Sequence, residues 1–106
     1  MTQIRTPEGF QNLGTQAAFT ASGEIPVGTR YASMDAIAAT GLKLPPATAI
    51  GGSFIVVENL NAVNTVDLSA ASGETINGGA APVTVAVSSS VMVLRSGPTD
   101  VRVIEF

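Results

Sequence analysis

From Gly52 to the end, the chain alternates short apolar runs with clusters of turn residues. Residues 54–57 (Phe-Ile-Val-Val) form an uninterrupted β-rich run, as expected for a buried strand. Asn59-Leu60-Asn61-Ala62-Val63-Asn64 supplies turn residues, and Thr65-Val66-Asp67-Leu68 alternates with period two. Residues 71–79 hold Gly73, Asn77, Gly78 and Gly79 and read as a loop. Within it, Asn77-Gly78 is a tight-turn signal, because both residues tolerate positive φ, and Ile76 just before it is predicted to anchor the loop in the core. Val83-Thr84-Val85-Ala86-Val87 alternates cleanly, residues 88–90 turn, and residues 91–94 (Val-Met-Val-Leu) are a further β run. After a turn at Ser96-Gly97-Pro98-Thr99, a last β run covers Val101-Arg102-Val103-Ile104. Short strands at this regular spacing predict an all-β fold, a small β-sandwich or jelly-roll-like barrel.

The first 30 residues have a different texture. Pro7, Gly9, Gly14, Gly23, Pro26 and Gly28 interrupt every apolar pair, and Phe10, Leu13 and Phe19 have no partners at either strand or helix spacing. Residues 1–30 therefore read as an extended N-terminal arm and residues 31–106 as the β domain. Phe10, Leu13 and Phe19 need a groove to bury in, on this subunit or on a neighbour, which makes them the candidate partner-binding residues. Residues 31–41 fit two patterns: a short helix capped by Ser33 and stopped by Gly41, or an alternating strand. The β surroundings favour the strand.

Composition changes this picture in one respect. Only 12% of the 106 residues are charged, against roughly 25% in ordinary globular proteins, while 45% are hydrophobic. A small domain exposes much of its surface, and the cores of interfaces are depleted in charge. The balance therefore points to a surface partly covered by other chains, that is, to a homo-oligomer or an assembly component. The net charge is −3 and the five basic residues are scattered, so the basic footprint needed to neutralise phosphates is absent and nucleic acid is not an expected partner. No apolar run is long enough for a membrane-spanning helix, and no apolar leader follows Met1.

Candidate chemistry is sparse. The chain has no His and no Cys, which removes the commonest general base and all thiol chemistry, and no cofactor or metal is expected. A Ser–Lys dyad would have to use Lys43, the only lysine, whose position between Leu42 and Leu44 suits a stem lying on apolar surface. Glu58, Asp67 and Glu74 are the candidates for a glycosidase-type carboxylate pair. The alternation places Asp67 on a solvent face, and a carboxylate in a Gly-rich loop such as Glu74 commonly binds backbone N–H groups. Catalysis is not expected from either.

Three segments, Leu44-Pro45-Pro46-Ala47-Thr48, Val57-Glu58-Asn59-Leu60 and Ser72-Gly73-Glu74-Thr75-Ile76-Asn77-Gly78, resemble small structural proteins of tailed-phage virions. These are capsid decoration (cement) proteins and β modules of head or tail fibres. The resemblance covers roughly residues 41–95, about half the chain. It implies a β-rich, non-enzymatic module that trimerises and sits on the virion surface, with the major capsid protein as partner. The short chain, without a shaft, favours decoration over a fibre base or tip. A carbohydrate-binding β module ranks lower, because Tyr31 and four Phe, with no Trp, offer little for sugar stacking.

Overall fold

The computed structural model describes residues 15–35, 38 and 40–106. Among them the strands are β1 (Thr15–Phe19), β2 (Gly23–Glu24), β3 (Thr29–Met34), β4 (Thr40–Lys43), β5 (Phe54–Asn59), β6 (Val66–Ser69), β7 (Thr75–Ile76), β8 (Val83–Val85), β9 (Ser90–Arg95) and β10 (Asp100–Glu105), with a one-turn helix α1 (Ala47–Ile50) between β4 and β5. The strands form two sheets. One has six strands in the order β1-β3-β5-β9-β10-β7, the other four in the order β2-β4-β6-β8. The fold is all-β, as the spacing of apolar runs predicts.

The chain reaches this arrangement by crossing from one sheet to the other at almost every step. In the six-stranded sheet β1, β3 and β5 are parallel neighbours; in the four-stranded sheet β2, β4 and β6 are too. Parallel neighbours cannot be joined by a tight turn, and here the crossover that joins them is a strand of the facing sheet. Residues 15–69 thus wind as a flattened coil of three turns. Antiparallel strands then close it: β9 pairs with β5, β10 with β9, and β8 with β6.

The core lies between the sheets. Ala32 and Met34 of β3, Leu42 of β4, Ile55 and Val57 of β5, Val66 and Leu68 of β6, Val85 of β8, Val91 and Val93 of β9 and Val101 of β10 form one buried cluster. Each sits at alternate positions on its strand, so the period of two sorts side chains to inner and outer faces. Ala47 and Ile50 of α1 join the same cluster. The helix starts after Pro46 (φ −57°) and is stopped by Gly51, whose φ of +58° is left-handed.

The segment read as an extended arm is not one throughout. From Thr15 onward it is built into both sheets, as β1 and β2. β1 needs no clean apolar alternation because it is an edge strand, held by parallel backbone pairing to β3 with an irregular register between Thr15 and Gln16. Residues 31–34 are strand, as favoured over helix, and Thr40 begins the next strand. Ala36, Ile37 and Ala39, in the middle of that ambiguous stretch, lie outside the described residues.

The loop motifs are joined to each other. Glu74 Oε1 accepts a hydrogen bond from the Ala47 backbone N–H at 2.9 Å. It serves as the side-chain cap of α1 that Pro46 cannot provide. Asn77 (φ +53°) and Gly78 (φ +81°) form a two-residue turn with both φ values positive, closed by Ile76–Gly79 backbone bonds of 2.8 and 2.9 Å. Ile76 is 3% exposed and belongs to the core cluster, as predicted.

Candidate interaction surface

The outer faces of the two sheets differ in chemistry. On the four-stranded sheet the positions alternating with the core are Glu24 on β2, Lys43 and Gly41 on β4, Asp67 on β6 and Thr84 on β8. Gly41, Asp67 and Thr84 are successive cross-strand partners. The Thr84 hydroxyl donates to Asp67 Oδ1 at 2.8 Å, and both side chains are exposed. This face is polar and solvated, and Asp67 lies on it as the alternation predicts.

On the six-stranded sheet the same alternation gives the opposite result. Pairing register places Gln16, Tyr31, Val56, Met92 and Ile104 side by side across five consecutive strands. One residue pair further along the strands, Phe54, Leu94 and Arg102 form a second row. On the other side, Ala18, Ser33, Glu58 and Ser90 form a third. The middle of this face is a continuous apolar patch of Val56, Met92, Leu94, Phe54 and Ile104 with the Tyr31 ring beside it. Phe54 is 45% and Ile104 47% exposed, and Val56, Met92 and Leu94 are half-buried. β5 and β9 are therefore apolar on both faces, the pattern of strands covered on both sides, yet Phe54 and Ile104 on this side stay exposed among the described residues.

Polar groups frame the patch. The Tyr31 hydroxyl donates to Glu58 Oε1 at 2.5 Å, and this bond pushes the Tyr31 pKa above its ordinary value of 10.0, with desolvation and the Glu58 charge adding to it. Arg102 stands at the opposite corner. At the β7–β10 edge, Asp100 accepts from Ser96 Oγ, from Thr75 Oγ1 at 2.5 Å and from the Gly78 backbone N–H at 3.0 Å. Those bonds hold its carboxyl below the usual carboxylate range.

The residues singled out from sequence fall elsewhere. Phe10 and Leu13 lie outside the described residues. Phe19 is half-buried and packs on the core of its own subunit, with Gly23 making room: a Cβ there would meet the ring at 3.1 Å. Of the two grooves open to it, Phe19 occupies the one in its own chain. Lys43 does meet a serine, its Nζ donating to Ser72 Oγ at 3.2 Å, but the contact is solvent-exposed. Glu58, Asp67 and Glu74 are each engaged with a different partner, Tyr31, Thr84 and the Ala47 N–H, and sit on separate elements. Among the described residues no group of three or more acidic side chains could hold a metal ion, and no helix is long and apolar enough to cross a membrane. Sequence reasoning missed the patch itself. Its signal is present in residues 54–57 and 91–94, where apolar residues occupy consecutive positions instead of alternate ones.

Comparison with models of known families, with curated proteins and with solved structures returned no match.

Proposed function

We propose that the protein is a structural component of a tailed-phage virion, a capsid decoration protein that binds the assembled head and stabilises it. The observation behind this reading is the framed apolar patch on an otherwise solvated β module, a surface suited to burial against other protein. The resemblance of residues 41–95 to virion β modules supplies the context, and the low charge of the chain agrees with it. On this reading the protein acts as a homo-oligomer, a trimer, on the capsid surface, with the major capsid protein as its partner. It needs no cofactor and performs no catalysis.

The mechanism is linkage. A site built from several capsid subunits exists only after assembly, so a protein that binds there stabilises the shell by RT ln(1 + [L]/Kd), about 2.7 kcal/mol per site at a hundredfold excess over Kd. Multiple copies add avidity. Shells lacking the protein are expected to release genome at lower temperature, and purified protein added back is expected to restore them, with copy number scaling with shell area. Particles that lack the protein, keep a robust shell and fail to adsorb to cells would instead assign it to a head- or tail-fibre base or tip.

A further inference from the structure

We propose that Asn77 is a latent deamidation site, held unreactive by the fold and released when the turn at the β7 edge opens, so that this turn carries an irreversible ageing switch. The inference goes beyond the role proposed above and stands whether or not that role holds.

Asn77-Gly78 is the only Asn-Gly pair in the chain. Both residues are exposed, so water reaches them. The chemistry is intrinsic to the pair. The Gly78 amide nitrogen loses its proton, and its electron pair forms a bond to Asn77 Cγ. The bond from Cγ to the carboxamide nitrogen breaks, and that nitrogen leaves as ammonia with the proton. A cyclic imide remains. Water then adds to either of its carbonyls and the ring opens. Aspartate results when the new N–Cγ bond breaks, isoaspartate when the original peptide bond breaks. Water enters and ammonia leaves, with no oxidant or reductant. Glycine favours the attack because no side chain on the attacking residue crowds ring closure.

Two features of the fold oppose that attack. The Gly78 N–H donates to Asp100 Oδ1 at 3.0 Å, and removing its proton would set an amide anion against a carboxylate. The bonds from Ser96 and Thr75 hold the Asp100 carboxyl below the usual range, which makes it a poor base for that proton itself. The electrophile is pinned as well. Asn77 Oδ1 accepts from the Val103 N–H at 3.0 Å, and the Asn77 N–H donates to the Val101 carbonyl at 2.8 Å. Both anchors lie on β10, so the carboxamide has to leave that strand before Cγ can turn onto the Gly78 nitrogen.

The hold on the turn is local. β7 has two residues, lies at the edge of its sheet and pairs with β10 through Thr75–Asp100 and Ile76–Val101. Ile76 is anchored in the core, so opening concerns the exposed turn beyond it. Such segments open at a fraction of the global unfolding free energy. Deamidation makes the opening permanent. Aspartate at position 77 tolerates a positive φ and keeps an oxygen for the Val103 N–H. Isoaspartate adds a main-chain carbon to a two-residue turn, so the Ile76–Gly79 pair no longer closes and the turn leaves β10.

The test follows the full chain at neutral pH by mass spectrometry of the peptide that holds residue 77, with isoaspartyl methyltransferase labelling. In urea, conversion at Asn77 is expected to outrun that at Asn61 and Asn64. In the folded protein it is expected to be slower by about tenfold or more, the factor that an opening free energy of about 1.4 kcal/mol produces. Asp100→Asn is expected to raise conversion at Asn77 and amide exchange at Gly78 together, while the core amides of Val57 and Val93 exchange as in wild type. Where circular dichroism shows that Asp100→Asn does not fold, Thr75→Val, which takes one donor from Asp100, is read in the same way. The isolated isoaspartate form is expected to lose amide protection at Asn77 and Val103, and Asn77→Asp to keep it. Equal conversion in folded and urea-unfolded wild type overturns the proposal, since the fold then holds nothing back. So does a folded variant whose Gly78 exchanges faster while Asn77 converts at the wild-type rate, or one that speeds the core amides equally, because the gate is then not local. An isoaspartate form with wild-type protection overturns the switch.

Discussion

Asp100 is a surface carboxylate with the duties of a buried one. Its three side-chain hydrogen bonds tie the 96–100 turn, β7 and the Asn77-Gly78 turn to one another. Because the folded state lowers its pKa, the ionised form is favoured by folding, and its contribution is fully present above the unfolded-chain value near 3.9. It is lost as pH falls through the lower folded value. The β7 turn is therefore expected to loosen below about pH 4, and Asp100→Asn is expected to show the loosened state already at pH 7, measured as faster amide exchange at Asn77 and Gly78. Ile76 beside it is a core residue. Ile76→Ala is expected to cost roughly 2–5 kcal/mol in a urea melt, whereas Asp100→Asn acts mainly on the turn. Ile76 and the Asn77-Gly78 turn were legible in the sequence, since turn chemistry and a flanking apolar residue are local signals. Asn59 was legible only as a turn residue. Its side chain is 1% exposed. Its Nδ2 donates to the carbonyls of Asn64 (2.9 Å) and Ala86 (3.2 Å), and its Oδ1 accepts from the Asn61 N–H at 3.0 Å. Nothing local announces that a polar residue will be taken inside to satisfy backbone from another strand.

At the scale of elements, β5, β6, β8, β9 and β10 fall where the apolar runs predict them because each has a buried face to satisfy, whereas the two-residue β7 lies inside the stretch read as a loop. Partnership does not follow. Which strand pairs with which depends on crossings of about 15 residues from Gln16 to Tyr31 and about 25 from Tyr31 to Val56. The turns of the coil are unequal, and α1 is inserted in the longer one, so no repeat shows in the sequence. β1 and β2 escape notice for a different reason: as edge strands they bury little, and backbone pairing leaves no mark on side-chain pattern. The link between Glu74 and α1 is also long-range, and it can be tested by the chemistry of the acceptor. Glu74→Gln retains a side-chain carbonyl for the Ala47 N–H and is expected to melt within about 0.5 kcal/mol of wild type. Glu74→Ala leaves that N–H without its cap and is expected to lose about 1 kcal/mol. Equal melts for Gln and Ala variants would show that the bond contributes nothing.

The whole molecule carries a prediction that no strand shows by itself: on the proposal that this chain is an assembling component, its stability depends on how many copies surround it. In a monomer, Met92 and Ile104 face water, and replacing either by Lys is a surface change worth no more than about 0.5 kcal/mol. In an assembly that buries the patch, dissociation is coupled to unfolding, and the melting temperature becomes a function of protein concentration. For an associating chain, each tenfold rise in concentration adds about 1.4 kcal/mol per mole of contacts formed to the free energy of the assembled state. Wild-type protein is therefore expected to melt at progressively higher temperature from 1 to 100 μM, whereas Met92→Lys is expected to melt at one temperature throughout. At the lowest concentration, where wild type has dissociated, the two curves are expected to converge, because the substitution does nothing to the isolated fold. Calorimetry across that range reads both features at once. A wild-type melting temperature independent of concentration would mean that the patch is open in solution. A Met92→Lys curve lying well below wild type even at the lowest concentration would mean that Met92 supports the sheet itself and not a contact between chains.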